Sequence, residues 1–178
     1  MMVSLDGYFE GVDHDLSWHN VDNEFNDAFA IPQLKQIDTI LFGRRTYDLM
    51  ASYWPTVDAA KDDPVVAKLM NETAKVVFSH TLDKAEWSKT RLVSSDPVAE
   101  VAKLKQSPGK DIAIFGSNNL CLSLLADNLI DEFRIMINPV VVGKGIPLFA
   151  GIEKKAGFKL LTTRNFKNGN VLLTYSPA

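Results

Sequence analysis

Three times in this chain a short apolar run halts at a small or aromatic residue and turns polar at once: Ile40-Leu41-Phe42-Gly43-Arg44-Arg45-Thr46-Tyr47, Lys75-Val76-Val77-Phe78-Ser79-His80-Thr81 and Asp111-Ile112-Ala113-Ile114-Phe115-Gly116-Ser117-Asn118-Asn119. Continuous apolar runs of this length read as buried strands. Helical sequence follows the first and third, so strand and helix alternate, which implies parallel strands reached by right-handed crossovers. Such sheets hold ligands beyond the carboxyl ends of their strands, where Gly43, Ser79 and Gly116 fall. In the first turn the glycine allows a tight bend and the first N–H groups of the helix point outward. Arg44 and Arg45 stand beside the positive end of its dipole. That combination suits a phosphate; the alternative is an ordinary strand-to-helix turn with two solvated arginines.

The other segments fit around this frame. Residues 1–5 read as a strand without lead-in, and 6–20 as a long polar loop holding Trp18, of the kind that tends to carry function. Asp22 is placed to cap a helix bearing Phe25, Ala28 and Phe29 and ending near Gln36. Strands are expected at 39–42, 75–78, 91–93 and 111–115, helices at 45–53, 64–71, 97–106 and up to 125, and a loop at 57–63. A long strand at 131–142 precedes strands at 158–165 and 170–175, joined by Phe166-Lys167-Asn168-Gly169, whose Asn-Gly favours a hairpin. That hairpin adds an antiparallel edge to the parallel sheet. With no repeat or linker, 1–178 is expected to be a single domain.

Composition sets outer limits. The chain has 178 residues, 46% of them hydrophobic, enough for one core. Lys and Arg total 19 against 22 Asp and Glu, and a net charge of −3 gives no reason to expect nucleic acid or an anionic membrane as partner. Cys121 is the one cysteine, and no apolar run or leader reads as a membrane or secretory segment, so a cytoplasmic location is expected. From Met1 to Leu34 there are seven acidic residues and no Lys or Arg. A phosphate would avoid that end and lie near Arg44 and Arg45. His14 and His19, with Asp13 and Asp15, match no zinc spacing, and their loop lacks the closing glutamate of a calcium site, so no metal is expected.

In this order and spacing the motifs resemble the dihydrofolate reductase-like superfamily. Within it they are similar to stand-alone proteins related to the C-terminal reductase domain of the bacterial bifunctional riboflavin biosynthesis deaminase/reductase. The residues that carry the resemblance are Ser4-Leu5-Asp6-Gly7, Gly43-Arg44-Arg45-Thr46, Gly116-Ser117 and, most specific, Asp131-Glu132-Phe133-Arg134 with Asn138-Pro139-Val140-Val141-Val142-Gly143-Lys144-Gly145-Ile146-Pro147-Leu148-Phe149. The implied fold is α/β: a mixed, mostly parallel sheet of about eight strands flanked by helices, with a C-terminal antiparallel hairpin. The implied activity is NADPH-dependent reduction of a small heterocyclic or carbonyl compound.

Carried over position by position, the resemblance implies that Arg44 and Arg45 pair with the 2′-phosphate and pyrophosphate and that Thr46 binds phosphate through its hydroxyl and N–H. Ser79 and His80 would hold the adenosine end. Gly116, Ser117, Asn118, Asn119 and Leu120 would wrap the pyrophosphate. The backbone of Val3 would bind the nicotinamide carboxamide, and Trp18 would sit against the cofactor. It also implies a homodimer, to which the apolar Val140-Val141-Val142 segment adds. Paired arginines independently favour the extra phosphate of NADPH over a bare ribose.

Hydride transfer asks the protein to hold the acceptor and to supply a proton. Asp6 and Asp22 are the candidates for orienting that proton; each could equally cap its own turn or helix. Phe25, Tyr47, Tyr53 and Trp54 would form the substrate walls. Ile114 and Phe115 stand where the riboflavin-pathway domain carries an acidic substrate contact, which argues against a phosphoribosyl-pyrimidine. Asp22, Glu24 and Asp27 share the first helix, so a folate is neither supported nor excluded. The competing reading is a nucleotide-binding regulatory or scaffold protein of the same fold without turnover, which would bind the cofactor tightly while no acceptor oxidises it.

Overall fold

All three apolar runs become strands that stop at, or one or two residues short of, the small residues that follow them. The computed structural model describes residues 1–178. It contains the strands β1 (Met2–Val3), β2 (Tyr8–Gly11), β3 (Ile37–Gly43), β4 (Ala74–Phe78), β5 (Thr90–Val93), β6 (Asp111–Ile114), β7 (Phe133–Ile137), β8 (Gly145–Pro147), β9 (Phe158–Asn165) and β10 (Val171–Pro177). Its helices are α1 (Asn23–Phe25), α2 (Ile31–Gln36), α3 (Arg44–Tyr53), α4 (Val57–Asp62), α5 (Pro64–Glu72), α6 (Pro97–Leu104) and α7 (Asn118–Ala126), with a π-helical segment at Asn26–Ala30. The chain packs as two units, Met1–Glu24 with Leu124–Ala178, and Phe25–Ser123.

In the Phe25–Ser123 unit the sheet runs β5-β4-β3-β6 and every pairing is parallel. Gly43 lies opposite Phe78 and Leu41 opposite Ile114, so the segments that follow these strands leave the sheet on one rim. Ile40, Phe42 and Val77 are fully buried at its centre. Phe42 stacks on Trp87 at 6.1 Å between ring centroids. Lys75 is buried there without an acid: its Nζ donates to the carbonyls of Met70 (2.8 Å), Thr73 (2.7 Å) and Asn71 (3.3 Å) and lies 4.4 Å over the Trp87 ring. The cation thereby caps the C-terminus of α5, where the dipole is negative, while burial pulls its pKa down to about 8.

The segment 57–63, expected to be a loop, is instead helix α4. Its start is capped by Thr56, whose Oγ1 accepts the Ala59 N–H, and Asp63 repeats the device for α5 by accepting the Val66 N–H. A six-residue helix with one buried side chain, Ala59, carries too little periodicity to be read from sequence, so the caps are its only signal.

In the other unit the sheet runs β1-β7-β10-β9, with β1 parallel to β7 and the remaining pairs antiparallel. The C-terminal hairpin is present, but its ladder partner is β7 rather than a strand of the β5-β4-β3-β6 set. The long strand expected at 131–142 covers only Phe133–Ile137. Asn138 turns its side-chain amide to the Val3 and Met136 carbonyls, and Pro139 has no N–H for a ladder. Part of the polar loop expected at 6–20 is strand β2, paired antiparallel with β8. That close approach requires Gly145: a Cβ there would lie 1.9 Å from the Glu10 carbonyl oxygen. No helix is long and apolar enough to cross a membrane.

Candidate functional site

The turns after β3 and β6 brace each other. The Gly43 N–H donates to Ser117 Oγ at 2.8 Å, and the Ser117 N–H donates to Thr46 Oγ1 at 3.0 Å. Ser117 stands just before α7, where a serine ordinarily caps its own helix; here its hydroxyl accepts from Gly43 instead. It also holds a left-handed backbone at φ 54, next to Gly116 at φ 62, a conformation costly for a side-chain-bearing residue and compensated by the two cross-turn bonds. Gly43 has an ordinary extended backbone, and a Cβ would sit 3.6 Å from Ser117 Oγ. The bend therefore does not need glycine, and a Cβ there would meet Ser117 only at ordinary van der Waals distance.

Helix α3 begins at Arg44 with no side-chain cap and no acid in its first turn. Its N-terminus is therefore positive and carries Arg44 and Arg45. Arg44 reaches back across the rim: Nε donates to Asp48 Oδ2 at 2.7 Å and Nη1 to Thr81 Oγ1 at 3.1 Å. Thr81 belongs to the turn after β4, where Ser79 Oγ accepts the N–H groups of Thr81 and Leu82. Between these turns lies a cavity of about 280 Å³, lined by Gly43, Ser79, His80, Asn119 and Leu120 together with Phe78, Ser95, Pro97 and Ser123. Five residues singled out from sequence thus share one cavity, while Arg44, Arg45, Thr46, Ser117 and Asn118 lie outside its lining.

Val3, Asp6, Trp18 and Asp22 belong to the other unit. The Val3 carbonyl accepts the Asn138 N–H at 2.8 Å. Trp18 is half-buried, its Nε1 donating to the Asp15 carbonyl, and its ring meets His19 edge-on at 4.5 Å. Asn20 ties this loop down: its N–H donates to Asn138 Oδ1, its amide to the Asn168 carbonyl, and its carbonyl accepts from Asn170 Nδ2 at 2.6 Å. Asp6 accepts from Ser4 Oγ (2.6 Å), the Gly143 N–H (2.8 Å) and the Val142 N–H (3.1 Å). Those donors, Ser4 first, hold its pKa down at about 2. Asp6 is thus held ionised and caps the turn at Val142 and Gly143. Asp22 is half-buried immediately before α1.

Residues 1–172 match the family model described as RibD C-terminal domain. The chain belongs to this family. It is 36% identical over 177 residues to protein YyaP of Bacillus subtilis (strain 168), covering 98% of this chain and 91% of YyaP. A putative riboflavin biosynthesis protein from Shewanella sp. PV-4 has a similar fold, with a TM-score of 0.76 at 24% identity over 100% of this chain and 96% of that one. Dihydrofolate reductase from Enterococcus faecalis, in complex with NADP(H) and RAB-propyl, has a TM-score of 0.65 at 15% identity, covering 99% and 92%. The dihydrofolate reductase-like fold read from the motifs is the fold of this RibD C-terminal domain.

One sequence reading of this RibD C-terminal domain changes at the level of side chains. Tyr47, expected on a substrate wall, is 3% exposed inside the core, and its hydroxyl accepts the Trp87 N–H at 3.0 Å. Position 47 faces inward on the first turn of α3, so the ring packs under the sheet and has no surface for a ligand. Phe25 contacts Phe29, while Tyr53 and Trp54 meet edge-on at 5.1 Å, with Trp54 resting on the core and Tyr53 donating to Asp62. Ser95 is a lining residue that sequence reasoning missed. Its signal was available: β5 is parallel to β4, so Ser94-Ser95 is a further strand end reaching the same rim.

Proposed function

We propose that this protein is an NADPH-dependent reductase that passes a hydride to a small heterocyclic or carbonyl acceptor. The observation that carries the reading is the shared rim. Parallel strands end together, two turns are cross-braced, and an uncapped, doubly basic helix N-terminus borders a cavity next to Ser79 and His80. The donor set fits the group: guanidinium pairs and helix N-termini suit phosphates, and a cavity of about 280 Å³ suits one nucleoside end of a dinucleotide. Membership in the RibD C-terminal domain family and a fold shared with an NADP(H)-bound dihydrofolate reductase support the same reading.

In this reading Arg44 and Arg45 hold the 2′-phosphate and pyrophosphate, and Arg44 exchanges part of its Asp48 contact for the phosphate. Ser79 and His80 hold the adenosine end, and the first turn of α7 from Asn118 to Leu120 takes the pyrophosphate. Bound there, NADPH supplies the hydride. Val3 and Trp18 orient the nicotinamide end, with Trp18 kept in place by the Asn20 contacts to Asn138, Asn168 and Asn170. The chain's own task in the reaction is the proton, and with Asp6 locked as a cap, Asp22 is the carboxyl group for it. The test is loss of NADPH absorbance against a panel of pterins, quinones and aldehydes. Oxidation with at least one acceptor, slowed in Asp22→Asn at unchanged NADPH affinity, supports the reductase; tight NADPH binding with no oxidation by any acceptor refutes it in favour of a non-catalytic binding protein.

A further inference from the structure

Arg44 stands at the rim as one half of an ion pair. Asp48, one helical turn further along α3 and the only acid of that helix, accepts from its Nε at 2.7 Å, and Thr81 Oγ1 accepts from its Nη1 at 3.1 Å. The contact lies at the edge of the cavity: Gly43 and His80, the residues just before Arg44 and Thr81, both line it. Thr81 is itself fixed, because its N–H donates to Oγ of Ser79, another lining residue. A guanidinium carries five N–H donors in one plane, so these two bonds set the plane and leave Nη2 and the second Nη1 hydrogen for a ligand. They also hold a carboxylate next to those donors. Helix stability does not account for the arrangement. A stabilising i,i+4 pair puts the acid first, towards the positive end of the dipole, whereas here the arginine begins the helix and the acid follows it.

We propose that Asp48 sets the cofactor selectivity of this rim by holding down its preference for NADPH over NADH. The inference rests on the reading of Arg44 as the partner of the 2′-phosphate. The two cofactors differ by that one group. When the phosphate is present, Arg44 must satisfy it while the Asp48 carboxylate, 2.7 Å from Nε, stays close to its negative charge, and that repulsion offsets part of the attraction. When the phosphate is absent, a ribose hydroxyl takes its place, and a carboxylate is the acceptor that suits it. The Arg44 and Asp48 side chains are 40% and 48% exposed, so both meet a ligand that arrives from solvent. Asp48 therefore acts against NADPH and in favour of NADH, opposite in sign to Arg44. The pair brings the two affinities closer together than arginines at an open helix N-terminus would by themselves.

Calorimetric titration of the full chain with NADPH and with NADH, on the wild type, Asp48→Asn and Arg44→Ala, tests the proposal. Asparagine keeps an acceptor for Arg44 Nε and removes only the charge. Asp48→Asn should raise the ratio of NADPH to NADH affinity by roughly tenfold, chiefly by tightening NADPH. The ratio is the readout because a general loss of structure would weaken both cofactors in parallel and leave it unmoved. A ratio that stays level or falls in Asp48→Asn, while Arg44→Ala still costs NADPH more than NADH, overturns the proposal and leaves the reading of Arg44 intact. Equal losses of both cofactors in Arg44→Ala, or a wild type that binds neither, overturn that reading and the proposal with it.

Discussion

The rim of the β5-β4-β3-β6 sheet and the loop cluster around Asn138 use the same vocabulary of small polar side chains to opposite ends. On the rim Ser117 and Thr46 spend one bond each holding two turns together, and the basic start of α3 is left without a cap. Around Asn138 the Asp6 carboxylate accepts three donors and the Asn20, Asn138, Asn168 and Asn170 side chains bond to backbone from distant parts of the chain. The lesson is that a conspicuous polar residue after a strand is read by what it already holds. Groups committed to backbone build the scaffold, and a helix end left open is where a ligand adds something.

The sharpest way to break that comparison is Asn138→Ala. Asn138 is fully buried, and its loss strands the Asn20 N–H and removes a side-chain donor from the Val3 and Met136 carbonyls, so stability should fall by about 2 kcal/mol in chemical denaturation. A fall under about 1 kcal/mol would mean the asparagines decorate the loop rather than hold it. On the rim, Arg44→Ala should weaken NADPH by about 2 kcal/mol more than NADH in calorimetric titration. Equal losses would place the 2′-phosphate elsewhere.

His19 tests the scaffold side through pH. Burial pulls its pKa from 6.5 down to about 4, so on acidification the unfolded chain takes up the proton first. Stability should be full above pH 6.5, decline between 6.5 and about 4, and level off below, with about 2 kcal/mol at stake. His19→Gln should flatten that window in thermal melts. Ser117→Ala removes the cross-turn acceptor and leaves a strained φ, which should cost about 1 kcal/mol. Ser117→Gly should recover the strain part alone, so the difference between the two variants measures it. The smallest effect belongs to Asp6: its depressed pKa contributes stability that is present above pH 3.8 and lost as pH falls toward about 2, and Asp6→Asn should remove that acid limb from the stability curve.

Much of the framework was legible because it rests on local pattern. Val76-Val77-Phe78 and Ile112-Ala113-Ile114 announce buried strands by unbroken apolarity, and Asn168-Gly169 announces the hairpin by the positive φ of 91° that Gly169 adopts. Gly43-Arg44-Arg45 marked the helix N-terminus that borders the cavity. Where reading failed, the deciding contact was distant in sequence. Tyr47 was taken for a ligand wall because its partner Trp87 lies 40 residues away. The partners of Asp6 are likewise remote: the N–H groups that its carboxylate caps belong to Val142 and Gly143.

The sequence by itself determined the alternation of strand and helix, the three strand ends that meet at the rim and the family to which the chain belongs, because each follows from residue order and local conformational preference. Only the tertiary structure decided which polar groups are already spent, that Ser117 braces Gly43 instead of capping its own helix, and that Thr81 holds Arg44 beside Asp48. Those are properties of pairing between distant segments, and a hydrogen bond exists only once folding has brought both partners together.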